Sequence, residues 1–417
     1  MLLGLANAED TDSLGWCFEV HETIITSQLQ CDKEELRQQD EKKNLLKRLD
    51  RWRGLWDSSH PRYRLLTALY GYRKHCDANI KEGNRWRDLY KHVPDRQKEL
   101  LEKLIGYTNK LNTNDHLIWH DRKLHSAIVQ HALEFYEIDP KELEKFIKDN
   151  KKDDHRMEKV SVSQALKHYV RDWSNEGEGE RMDAFPCILN TLCMQFPDRT
   201  SGNLKVLLPG AGLGRLGHDI HSLGGFEVTI NEWSMFMNVA YRYLESLQIV
   251  NSEGFHPFVD AWSHHATTKD LQRRVLFPDQ VPSPSVLLVE GDFTTVFRDQ
   301  KGSFDSIVTL FFIDTARNLI SYFETIHQIL KPEGIWINFG PLLYGTAPWV
   351  QLTLDEIVKV AEEMGFEFLD LDDSCGKITL EGKKVRGKHA SYAFNERALN
   401  KNAYQAQAWV VRKKAQQ

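Results

Sequence analysis

Three glycines in the string KVLLPGAGLGRLG carry the first chemical signal in this 417-residue chain. An apolar run leads straight into Gly210, Gly212 and Gly214, and a helical pattern follows. Glycines at such a turn let the backbone bend sharply and approach a ligand, whose polar end meets the N–H groups of the helix start. A tight turn with no ligand would use the same residues, so the loop alone decides little. The next β-type run, FEVTINE, ends in Glu232, about 20 residues on, where a carboxylate can accept hydrogen bonds from both hydroxyls of a ribose. Together they indicate an adenosine-type cofactor, without separating a dinucleotide from S-adenosylmethionine.

Two further carboxylates extend the pattern. Asp292 and Phe293 follow the apolar run SVLLV and the pair Glu290–Gly291, at the end of a third strand, where an acid and a ring can bracket an adenine. The plainer alternative is a helix cap and a core residue. Asp314 follows FDSIVTLFFI, at the carboxyl end of a strand, which is the crevice edge where open α/β sheets bind ligands. It is also placed to cap a helix beginning at Thr315. His218 and His221 stand three apart and His264 and His265 are adjacent, but no third ligand has metal-site spacing, so no metal is expected.

These residues meet only if strands and helices alternate. After Asn203 they do: LKVLLPG, a helix from Leu213 to Leu223, FEVTINE, a helix through MNVAYRYLESL, VLLVEGD, FDSIVTLFFI, a helix through ETIHQIL, and GIWINFGP. Such alternation implies parallel strands joined by right-handed crossovers. GFEFLDLD and AQAWVVRK add two late strands suited to an antiparallel edge. In ILKPEGIWINFGP, Pro332 and Gly334 stop a helix ahead of a strand, a layout similar to the LKPGG turn of class I methyltransferases. Upstream the patterns are helical: DKEELRQQDEKKNLLKRLDRWRGLW, YRLLTALYGYRKHCDANI, DRQKELLEKLIGYTNKL, a helix starting near Asn114, and one with Pro140 at its first position. The expected fold is α/β, a Rossmann-like doubly wound sheet with an all-helical N-terminal region. Residues 1–32 read as a loosely held arm, 33–150 as the helical region and 151–417 as the catalytic domain, with a surface linker over Lys148 to Lys159.

Composition narrows the function classes. Lys and Arg total 54 against 60 Asp and Glu, a formal charge of -6, which is not the basic footprint of a nucleic-acid binder. No stretch approaches the roughly 18 apolar residues of a membrane span. The six cysteines show no CxxC pair, so neither a disulfide framework nor a zinc ribbon is expected, and a reducing cytoplasmic or nuclear setting fits.

PGAGLGRL, NEWS (Asn231 to Ser234), GDF (Gly291 to Phe293), FFIDTA (Phe311 to Ala316), GIWIN-x-GPLLY (Gly334 to Tyr344) and the upstream VRDWS (Val170 to Ser174) form a combination that resembles the carnosine N-methyltransferase family. The likeness runs from about residue 60 to the C-terminus. It implies transfer of a methyl group from S-adenosylmethionine to an imidazole nitrogen of carnosine, giving anserine, or of a related histidine-containing dipeptide or peptide. It implies that Arg171 holds the cofactor through its carboxylate, beside His168, which stands where the family has glutamine. Gly210 and Gly212 would approach the methionine part, Glu232 the ribose, and Asp292 with Phe293 the adenine. Asp314, Tyr392 and Tyr404 fall where the family contacts the dipeptide; a homodimer is compatible with the likeness.

The chemistry accords with this set. Methyl transfer is an in-line displacement at a sulfonium, so alignment is the protein's main task. An imidazole with a pKa near about 6.5 is mostly neutral at physiological pH and needs no strong base. Choosing one ring nitrogen is harder: a carboxylate such as Asp314 would accept the N–H of one nitrogen and stabilise the imidazolium as charge develops. Two departures stand out. Leu208 occupies the position, two before the first loop glycine, where most class I methyltransferases carry an acid. Gly345, after GPLLY, replaces a substrate-contacting histidine. An NAD-dependent oxidoreductase and a non-catalytic helical interaction protein are the competing readings; the first requires a second βαβ half.

Overall fold

The computed structural model describes residues 27–150, 156–345 and 347–415. The expected arm falls almost wholly outside this range, and the expected linker partly so. Eleven strands are described: β1 (Leu204–Pro209), β2 (Phe226–Glu232), β3 (Glu253–Phe255), β4 (Val275–Phe277), β5 (Leu287–Glu290), β6 (Phe304–Leu310), β7 (Leu330–Gly340), β8 (Phe366–Leu369), β9 (Lys377–Ile378), β10 (Arg386–Ser391) and β11 (Ala403–Lys413).

The main sheet runs β5-β2-β1-β6-β7-β11-β10-β9. Its first five strands are parallel, and β11 returns antiparallel to β7. The other edge of β11 pairs with β10 along its first half and β8 along its second. The chain moves outward from β1 to β2 and β5, then jumps back to β6 on the far side of β1. That reversal opens a crevice at the carboxyl ends of β1 and β6. Side chains alternate between faces: Val206 and Leu208 join one apolar cluster, Leu207 the other. The first cluster continues into Leu65, Leu69, Ile128 and Tyr136 of the N-terminal helices, so helices and sheet share one core.

Those helices are Ser27–Arg48, Pro61–Tyr90, Asp95–Ile105, Tyr107–Phe135 and Pro140–Asp149. Pro140 occupies the first helical position as expected, with Asp139 accepting the Lys141 N–H. The run read as one helix through IGYTNKL breaks at Gly106, whose φ of 59° is left-handed. Asn114 does not start a helix. It is buried inside Tyr107–Phe135, where its Oδ1 accepts from Gln272, and a polar residue spent on such a network mimics a cap in sequence.

Three other expectations need correction. The helix before β7 ends at Ile329, ahead of Pro332, and Lys331 to Gly334 form an irregularity within β7 where the pairing with β6 shifts register. The β3–β4 hairpin and the strands β9 and β10 were not anticipated. Cys187 and Cys375, 188 residues apart and buried, form a disulfide that ties the helix Glu178–Gln195 to the segment before β9; local cysteine spacing carries no trace of it.

Candidate active site

β1 delivers the chain into the glycine loop at the crevice. Gly210, Gly212 and Gly214 all have positive φ (66°, 58° and 74°). At Gly210 a Cβ would lie 2.1 Å from the Phe312 ring, so no other residue fits. The Gly212 N–H donates to Glu232 Oε2 at 3.0 Å, while Oε1 accepts from the N–H groups of Trp233 and Ser234 at 2.8 and 2.7 Å. Burial raises the Glu232 pKa and these three backbone donors pull it back. The loop and the end of β2 are thereby locked into one unit. Leu208 is 3% exposed and joins the apolar core while bordering the cleft, and its side chain offers a ligand no acceptor.

The helix Arg156–Trp173 closes the other wall. His168 and Arg171, one turn apart, face the loop, and the His168 Nδ1 lies 3.4 Å from where a Gly212 Cβ would be. His168 Nδ1 pairs with Asp172 Oδ2 at 2.9 Å. The Arg171 guanidinium sits 3.7 Å from Asp172 Oδ1 and 3.7 Å from Glu180 Oε2. Burial works against its charge, but the Asp172 carboxylate, the Tyr392 oxygen and Glu180 outweigh that and hold the pKa above the ordinary value. Glu180 Oε2 is buried without a hydrogen bond among the described residues.

Across the cleft stands an aromatic group that the sequence showed only in part. The Phe311 ring centroid is 4.9 Å from Tyr392 and 6.2 Å from Tyr404, and the two tyrosines are 6.1 Å apart. Arg171 lies 4.4 Å over the Tyr392 ring. Phe311 was not singled out by sequence reasoning, and it adopts φ 49°, a costly conformation for a bulky residue that recurs where a side chain is aimed at a site. Gly340 permits the turn, since a Cβ there would meet the Phe311 backbone at 3.0 Å. One solvent-open cleft is lined by His168, Arg171, Gly210, Gly212, Phe311 and Tyr392 among others.

Asp314 follows β6 in the short turn Ile313–Thr315 and is 6% exposed. It caps no helix: the helix Leu319–Ile329 starts later, with Asn318 as its cap. Instead its Oδ2 accepts the Leu343 N–H at 2.9 Å. Burial raises its pKa, and that donor offsets part of the rise. Asp292 and Phe293 do take the plainer roles. Asp292 Oδ1 caps the helix Phe293–Val296 through Thr294, and Phe293 is 4% exposed among Phe297, Phe312 and Tyr322. Both bonds to Asp292 use Oδ1, so the cap leaves Oδ2 available to a ligand. Gly345 lies in a loop where a Cβ would meet nothing within 4 Å.

Arg64 is a second residue the sequence reading missed. From the helix Pro61–Tyr90 it lies 3.5 Å over the Trp233 ring and donates to the Trp233 carbonyl. Burial lowers its pKa to about 10 against the pull of Glu232 and Asp292, so the helical region supplies a positive charge facing both carboxylates. His218, by contrast, is a satisfied core residue, paired with the Tyr241 hydroxyl and the Ser283 N–H.

A parallel sheet reversing at β1, a glycine loop tied to the acid ending β2, and an antiparallel closing strand define a class I S-adenosylmethionine-dependent methyltransferase. The second parallel half that an oxidoreductase required is replaced by antiparallel β11, β10 and β8. The family model described as Carnosine N-methyltransferase matches residues 147–415, and the chain belongs to that family. It is 29% identical over 343 residues to Carnosine N-methyltransferase of Mus musculus, covering 79% of this chain and 81% of that one. The Schizosaccharomyces pombe protein of the same name is 33% identical over 278 residues, covering 60% and 70%. Among solved structures, the phosphoethanolamine N-methyltransferase 2 of Haemonchus contortus in complex with S-adenosyl-L-methionine superposes with a TM-score of 0.33 and 15% identity, over 52% of this chain and 44% of that one. No helix among the described residues is long and apolar enough to cross a membrane.

Proposed function

We propose that the enzyme methylates an imidazole nitrogen of carnosine, giving anserine, or of a related histidine-containing dipeptide or peptide. The observation that carries this reading is the single cleft in which the glycine loop and Arg171 face Phe311 and Tyr392. When bound, S-adenosylmethionine supplies an electrophilic methyl group on a sulfonium. The residues present fit that group. The cradle at Gly212 would be filled by any side chain, Glu232 is held by backbone donors for a diol, and Arg171 with Asp172 offers opposite charges to a zwitterionic amino acid end. With Leu208 unable to serve, Asp172 is the acceptor for the amino group, and Arg171 takes the carboxylate. Asp292 Oδ2 faces the adenine, with Phe293 backing it from the core.

The remaining residues handle the acceptor. Phe311, Tyr392 and Tyr404 present ring faces to an imidazole that gains positive charge, which aromatic quadrupoles stabilise. Asp314, oriented by the Leu343 N–H, accepts the N–H of one ring nitrogen and leaves the other lone pair toward the methyl donor. A radiolabelled methyl-transfer screen over carnosine, homocarnosine, free histidine and histidine peptides tests this. Label on an imidazole nitrogen supports it, and transfer confined to non-imidazole acceptors overturns it.

Two variants refine the roles. Arg171→Ala should weaken S-adenosylmethionine binding by roughly tenfold to 150-fold, as a charge-assisted contact is worth about 1.5–3 kcal/mol; calorimetry showing unchanged affinity would reject the contact. Gly345→His should raise kcat/KM for carnosine about fivefold, because the space is open and a new hydrogen bond is worth about 1 kcal/mol. A loss instead of a gain would mean that this position faces a larger acceptor than the dipeptide.

A further inference from the structure

Away from the catalytic cleft, the helix Tyr107–Phe135 and the residue following β3 bring together three side chains of the types that ligate transition metals. His120, Asp121 and His256 each offer one atom, and these lie within 4.8 Å of one another. His256 Nδ1 is 2.8 Å from Asp121 Oδ1, and His120 Nδ1 is 3.7 Å from the same oxygen. Around a tetrahedral zinc ion, with ligand bonds of about 2.0–2.1 Å, neighbouring ligand atoms stand roughly 3.4 Å apart. The two separations from Asp121 fall on either side of that value and no pair exceeds 4.8 Å, so rotation of the exposed His120 side chain would bring all three to one point.

The site is partly built in advance. Asp121 and His256 side chains are each 8% exposed, whereas His120 is 60% exposed. Asp121 Oδ2 accepts the backbone N–H of His256 at 2.9 Å, which fixes the carboxylate while Oδ1 stays turned toward both rings. We propose that His120, Asp121 and His256 bind one divalent transition-metal ion of the zinc class, with a fourth position on the His120 side facing water. Two imidazoles and a carboxylate suit zinc and its neighbours, whereas calcium and magnesium call for oxygen donors. On binding, His256 Nδ1 exchanges its hydrogen bond with Oδ1 for the metal and carries its proton on Nε2; Oδ2 keeps the backbone bond. The ion would pin the helix to the segment running on to Asp260, whose Oδ2 accepts from Ser163 at 2.8 Å. Ser163 lies on the helix that carries His168 and Arg171, so the metal would brace the cofactor wall from behind.

The test uses untagged, chelator-treated and desalted protein titrated with zinc chloride against a competing chromophoric chelator, with thermal melts in parallel. The wild type should take up one equivalent in a saturable step and melt at a higher temperature with zinc. His120→Ala, at an exposed position, and His256→Asn should each weaken binding at least tenfold and lose the melting shift, while His116→Ala, one turn earlier on the helix, should leave both unchanged. Absence of a saturable site in the wild type overturns the proposal. So does tight binding retained in His256→Asn but lost in His116→Ala, which would place the ion on the helix histidines alone.

Discussion

Replacing Asp314 by Asn should lower turnover of an imidazole substrate by about 10²- to 10³-fold, the range expected when a group facing developing charge is neutralised. Affinity for S-adenosylmethionine should stay within about twofold, since Asp314 follows β6, whereas the proposed cofactor contacts lie on the loop after β1, the end of β2, the turn after β5 and the helix Arg156–Trp173. Asn preserves the shape and can still accept the Leu343 N–H, so the fold should be intact and the loss assignable to charge. With its one oxygen committed to Leu343, the amide turns its NH2 group toward the ring. It cannot offset the full positive charge that appears on the ring as the methyl arrives, and the defect should therefore sit in kcat more than in KM. Single-turnover kinetics separates the two. A matching fall in cofactor affinity would show that Asp314 shapes the cofactor site instead.

The parts of this site that were legible in the sequence are those built by short-range chemistry. The glycine loop follows a buried strand directly, and Glu232 follows one crossover later, so a strand–loop–helix–strand reading places both without tertiary information. Asp314 was visible only as a carboxylate at a strand end. Its partner is the N–H of Leu343, 29 residues away, and a backbone donor leaves no mark on composition. Phe311 was hidden for a related reason: within FFIDTA nothing distinguishes the ring that flips to positive φ from the neighbouring Phe312, which packs inward. The misplaced helix start at Asn114 shows the reverse failure, in which a residue with strong local meaning is used for a long-range contact. β10 escaped notice because RGKHAS pairs as a strand while carrying three basic or imidazole side chains, a run without the apolar alternation by which strands are recognised.

The largest stability effect should come from Arg242, where the helical region meets the sheet. Its Nε donates to Glu290 Oε1 at 2.9 Å, and Glu290, 1% exposed at the end of β5, takes its other hydrogen bond from the Tyr136 hydroxyl at 3.0 Å. Arg242→Met leaves that carboxylate in the core with a neutral donor alone, at a cost of about 3–5 kcal/mol. Denaturant unfolding should report this, and a loss under about 1 kcal/mol would contradict it. The pH dependence fixes the cause. Burial already raises the Glu290 pKa and Arg242 is the first group pulling it back, so the variant's folded state should bind a proton more readily than its unfolded chain. The destabilisation is then fully present above the raised folded pKa and is relieved as pH falls through it. Adding Glu290→Gln should recover much of the loss at neutral pH and flatten that dependence. Cofactor binding should weaken along with stability, because Gly291, next in the chain, accepts a hydrogen bond from Asn231 at 3.0 Å and leads directly into Asp292. Arg242 and Glu290 thus form a buried ion pair that the Tyr136 hydroxyl completes from the N-terminal helices, two residues before Asp292.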